Sequence, residues 1–95
     1  MSKNELEEVR REIDAVDLLL LKSVANRQKL ARKAGELKRE AGLKIHDPKR
    51  EKEVLELRRE WAEQLELDPD SVEELFHLLI DESRKLQEKD KKGDE

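Results

Sequence analysis

The sequence predicts an all-α protein of three helices, one long and two shorter, on three observations. Ala, Glu, Lys, Leu and Arg supply 60 of the 95 residues, well above the roughly 50% that marks long helices and coiled coils. Apolar residues recur at three- and four-residue steps, the period of a helix face and not of a strand. Both prolines directly follow an aspartate, at Asp47-Pro48 and Asp68-Pro69, the order of acceptor and proline that opens a helix.

The first helix is expected from Glu5 to about Ala41. Leu6, Val9, Ile13, Val16, Leu20, Val24, Ala31, Ala34 and Leu37 form its stripe, with Gly35 as the one internal glycine. Such a helix is about 55 Å long, too long for a chain this small to wrap, so it should protrude or pair. Gly42-Leu43 reads as its stop. The second helix is expected from Pro48 to Leu65, with Val54, Leu55, Leu57, Trp61, Ala62 and Leu65 on its inner side. The third runs from Asp68-Pro69 to about Glu88, with Val72, Leu75, Phe76, Leu79, Ile80, Ser83, Leu86 and Gln87 in one stripe. Residues 1–88 thus form one helical domain, and the charged tail 89–95, without an apolar anchor, is expected to be frayed or disordered.

Composition removes several classes of function. Charged residues make up 48% and apolar ones 35%, with two aromatic residues, Trp61 and Phe76, so a compact monomer would have a thin core. Burying a face against a partner would relieve that shortage. There is no cysteine, and His46 and His77 are not spaced as a helical metal pair, so cysteine nucleophiles, zinc cages and a metal cofactor are not expected. A net charge of −4 with mixed signs argues against a general nucleic-acid binder. The longest apolar run, Leu18 to Leu21, is far short of a membrane span and no signal peptide is visible, so a soluble cytoplasmic protein is expected.

The informative charges are those that interrupt an apolar stripe. Arg27 and Lys38 lie eleven residues apart, about three turns, on one face of the first helix, with the small Ala31 and Ala34 between them. They either snorkel from the edge of a packed face or leave room for an anion. Gln87 continues the stripe of Leu79, Ile80 and Ser83. Its amide either reaches water near the helix end or offers hydrogens to a ligand oxygen.

At the second helix start, Asp47 is a helix cap. Arg50 carries the wrong charge for a helix N-terminus and should face an acid or an anionic ligand, whereas Glu51 carries the favoured one and could be structural. Arg10 precedes Arg27 by 17 residues, roughly 25 Å of helix, so one small molecule cannot touch both in one chain. Two first helices paired antiparallel about a two-fold axis near Leu20 would set residue 10 of one beside residue 30 of the other. Leu18 to Leu21 would be the seam, and two identical sites would each draw on both chains. Asp14 and Asp17 could pair with bases across that seam.

The segments VRREIDAVD, ANRQKLARKAGELK, DPKREKEVL and LLIDESRKLQ, in this order and spacing, resemble the all-α chorismate mutases of the shikimate branch leading to phenylalanine and tyrosine. The likeness covers about Leu6 to Gln87. It implies an intertwined antiparallel homodimer of three-helix chains that converts chorismate to prephenate without a cofactor. Carried over by position, Arg10 from the partner chain and Arg27 would bind the two substrate carboxylates. Lys38 would contact a carboxylate and the ether oxygen, Gln87 would be the second donor to that oxygen, and Glu51 would hold the ring hydroxyl. Asp47 would lie close by, Arg50 would line the enolpyruvyl side and Ser83 would assist with a carboxylate. Arg27, Lys38, Glu51 and Gln87 would form the catalytic set. Ala34 is smaller than the branched residue often found there. An isochorismate pyruvate-lyase of the same fold and a plain helical dimerisation module are the rival functions, and Glu51 together with Gln87 favours the mutase.

Overall fold

The computed structural model describes the backbone of residues 2–93 and the side chains of residues 2–90. Its elements are three helices, α1 (Lys3–Glu40), α2 (Pro48–Gln64) and α3 (Pro69–Gly93), and among the described residues there is no strand. The chain divides into two compact units, Met1–Leu30 and Ala31–Glu95. The first is helical from Lys3 onward, and the second holds the C-terminal end of α1 with α2 and α3.

Local chemistry accounts for each helix start. Helix α1 starts two residues before the expected Glu5, because Ser2 caps it: its hydroxyl oxygen accepts the Glu5 N–H at 3.1 Å and its carbonyl the Leu6 N–H at 3.2 Å. Asp47 caps α2 as expected, Oδ1 accepting the Arg50 N–H at 3.1 Å. Asp68 does the same for α3, with Oδ2 taking the Ser71 N–H at 3.3 Å and the Ser71 hydroxyl at 2.7 Å. The hydroxyl hydrogen bond holds the Asp68 carboxyl below the usual carboxylate range.

Helices α1 and α2 end in the same geometry. Gly42 (φ +69°) and Glu66 (φ +59°) are left-handed. The following residues, Leu43 and Leu67, donate back to the carbonyls of Lys38 and Ala62, both at 2.8 Å. Gly42 meets this requirement at no steric cost, whereas Glu66 does not. Glu66→Gly is therefore expected to stabilise the fold by about 0.5–1 kcal/mol, the relief of strain exceeding the added freedom of the unfolded chain. A rise in the urea midpoint at unchanged slope would register it.

Helix α3 passes its expected end at Glu88 and continues to Gly93. Asp90 on this extension pairs with Arg32 Nε of α1 at 3.5 Å. Asp94 and Glu95, the end of the expected frayed tail, lie outside the described residues.

In the second unit α2 and α3 pack together over a small core, with Val54 and Ala62 buried. Trp61 and Leu65, expected on the inner side of α2, are exposed. The two aromatic residues instead share one cation: the Arg58 guanidinium lies 4.6 Å from the Trp61 ring centre and 5.4 Å from that of Phe76. In the first unit the apolar stripe is uncovered, Leu6, Val9, Ile13 and Val16 all being exposed. Leu18 to Leu21 are 54–64% exposed. A lone helix with this much apolar surface is not stable in water on its own propensity.

Candidate active site

Gln87 is the buried polar side chain of the second unit, only 6% exposed. A buried amide must have partners, and both ends of this one do. Nε2 donates to the Ala31 carbonyl at 2.7 Å, and Oε1 accepts from Lys38 Nζ at 3.3 Å. Gln87 therefore does not emerge into water at the helix end. Lys38 is not a snorkelling surface cation either, because its ammonium also donates to the Ile45 carbonyl at 3.0 Å. An ammonium has three hydrogens, and these two acceptors leave a third.

The ammonium stands at a cleft of about 260 Å³ lined by Lys38, Leu43, Lys44, His46, Asp47 and Pro48. Three sequence features shape it: the left-handed turn at Gly42, the capped start of α2 and the loop carbonyl of Ile45. Two lysines against the single carboxylate of Asp47 leave the lining with one net positive charge, although the whole chain carries −4.

Glu51 lies in the first turn of α2, where its charge suits the helix end. Its Oε1 pairs with Arg84 Nη1 at 3.5 Å, and its Oε2 lies 3.6 Å from His46 Nε2, an ion pair only when His46 is protonated. Arg84 in turn bonds Asp81 at 3.2 Å. Arg50 is exposed, and its backbone N–H is the one bound by the Asp47 cap. Ser83 is partly buried, and its hydroxyl donates to the Leu79 carbonyl of its own helix at 2.9 Å.

The structure thus brings Lys38 and Gln87 into contact and places Lys38 and Asp47 on one cleft. Within the first unit, Arg10 is exposed and paired with Glu7 at 2.9 Å, and Asp14 and Asp17 are exposed. Arg27 is partly buried, and burial lowers its pKa from the ordinary guanidinium value; it stays cationic at any physiological pH.

Arg84 and Gly35 were not anticipated from the sequence. One arginine among 21 basic residues carries no signal in its spacing, and only the fold sets Arg84 beside Glu51. Gly35 offered a weak signal, since a glycine inside a helix costs stability and implies a close approach. It is the one buried residue of α1.

The family model for chorismate mutase type II matches residues 9–88. A chorismate mutase of Methanocaldococcus jannaschii is 34% identical over 82 residues, covering 86% of this chain and 83% of that protein. The T-protein of Enterobacter agglomerans is 40% identical over 83% of this chain but only 21% of its own length. A bifunctional chorismate mutase/prephenate dehydratase of Aquifex aeolicus is 48% identical over 55% of this chain and 14% of its own length. With most of its length matched by the family model and by a relative of similar size, this chain belongs to the chorismate mutase type II family.

Proposed function

We propose that the protein is a chorismate mutase, an isomerase that rearranges chorismate to prephenate. The observation that carries this beyond family membership is the contact of the buried Gln87 amide with Lys38, a lysine that also lines the cleft. In the rearrangement the ether C–O bond breaks as a C–C bond forms in the same molecule. No nucleophile or proton transfer is required. Catalysis then consists of holding the dianion in its compact conformer and placing donors where negative charge grows on the ether oxygen.

Lys38 supplies a positive charge with a hydrogen to spare, and the Gln87 amide has a second hydrogen beyond the one given to Ala31. Both donate to the ether oxygen, and the Lys38 charge also attracts a neighbouring carboxylate. Arg27 and the Arg10 of a second copy bind the substrate carboxylates, a task suited to planar guanidinium forks. Glu51, steadied by Arg84, takes the ring hydroxyl, with Asp47 close by. Arg50 lines the enolpyruvyl side, and Ser83 assists with a carboxylate.

The dimer that supplies Arg10 is an antiparallel, intertwined pair of chains, with the exposed Leu18 to Leu21 as its seam. Among the described residues no helix is long and apolar enough to cross a membrane; we place the enzyme in the cytoplasm, where the biosynthetic reaction runs. The direct test is to supply chorismate and identify the product. Prephenate is expected. Salicylate and pyruvate from isochorismate would mark the lyase instead, and inertness toward both would leave a dimerisation module.

A further inference from the structure

Gly35 lies beneath the Gln87 side chain, between the two residues that hold its amide. Positions 31, 35 and 38 are one helical turn apart on one face of α1. Ala31 accepts from Nε2, Lys38 donates to Oε1, and Gly35 fills the interval with no side chain at all. A Cβ at Gly35 would lie 2.8 Å from Gln87 Cγ, 3.2 Å from its Cβ and 3.5 Å from its Cδ. The first distance is shorter than real contacts allow. The clash falls on the root of the side chain and not on its flexible end, so Gln87 cannot swing clear and keep both partners.

Propensity gives glycine no reason to be here. Within a helix it is less favourable than alanine, and φ at Gly35 is not in the left-handed region. We infer that Gly35 is a positioning residue: its missing side chain lets the Gln87 carboxamide lie flat on α1, one hydrogen on Ala31 and the oxygen toward Lys38, so that the other hydrogen is held ready for a ligand oxygen. Its catalytic consequence rests on the proposed mutase activity, but the ordering of the amide does not.

The test uses Gly35→Ala in the full chain, with two readouts. In the 15N-labelled protein, the Gln87 side-chain hydrogen bonded to the Ala31 carbonyl should exchange at least tenfold more slowly than those of an exposed glutamine. Gly35→Ala should erase that protection. Unchanged protection in the variant overturns the inference whatever the activity. The second readout is turnover of chorismate. Gly35→Ala should lower kcat about 100-fold with KM within threefold, and should cause no further loss when added to Gln87→Ala, since both changes remove the same donor. Additive losses would mean that Gly35 acts other than through Gln87 and would also overturn the inference. A wild-type protein with a protected amide but no turnover would instead refute the proposed activity and leave the positioning role intact. If Gly35→Ala does not fold, the double variant Gly35→Ala/Gln87→Ala, which lacks the clashing Cγ, should recover; its failure to recover would overturn the inference.

Discussion

Lys38→Ala should lower kcat for chorismate by about 10²–10³-fold while KM changes much less. The magnitude is that of removing one preorganised donor from a developing oxyanion, about 3–4 kcal/mol. The split follows from when the interaction matters. The ether oxygen of bound chorismate is weakly basic, and only as the C–O bond lengthens does it gain the charge that an ammonium stabilises strongly. Lys38 enters this role already oriented by the Ile45 carbonyl and Gln87 Oε1, so little reorganisation is spent during the reaction. Steady-state kinetics with product identification would check it. A change confined to KM would make Lys38 a binding cation only, and an unchanged enzyme would remove it from the site.

Arg10→Ala and Arg27→Ala should each be nearly inactive, and a mixture of the two should regain activity. Loss of a guanidinium partnered with a substrate carboxylate costs ~3–5 kcal/mol, so each variant alone should fall by at least 100-fold. Arg10 and Arg27 lie 17 residues apart on one helix, about 25 Å of rise. A site containing both therefore draws them from different chains. When the two variants are unfolded together and refolded in equal amounts, half of the dimers pair one of each. Such a dimer has one site with both arginines intact and one with neither, so the mixture should reach about a quarter of wild-type activity. No recovery on mixing, with mixed dimers demonstrated by mass, would sink the shared site.

How much of this was legible beforehand varies by element. The helical class, the two aspartate caps and the glycine stop of α1 follow from short-range rules, because each is decided by residues within one turn of one another. All three appear where expected. Helix ends set by weaker local signals moved: Ser2 begins α1 earlier, Glu66 closes α2 in a conformation usually left to glycine, and α3 continues to Gly93. Periodicity also overstated the core. It names a face that is apolar, but not whether anything in the same chain covers it, and Trp61, Leu65 and the stripe of Leu18 to Leu21 are all exposed.

For the candidate site, the sequence alone determined which residue types stood out of place: Arg27, Lys38 and Gln87 on apolar stripes, and Arg50 and Glu51 at a helix start. A polar group on an apolar face is visible from spacing because the period of the helix is known. Whether it is solvated, paired or aimed at a ligand depends on groups tens of residues away, which no local period encodes. Only the tertiary structure decided that Gln87 is buried and held by Ala31 and Lys38, that Glu51 pairs with Arg84, and that the absent side chain of Gly35 makes the first of these possible. Hydrogen bonds and steric exclusion act over about 3 Å between residues up to 56 positions apart in the chain, so their partners are fixed by packing and not by sequence neighbours.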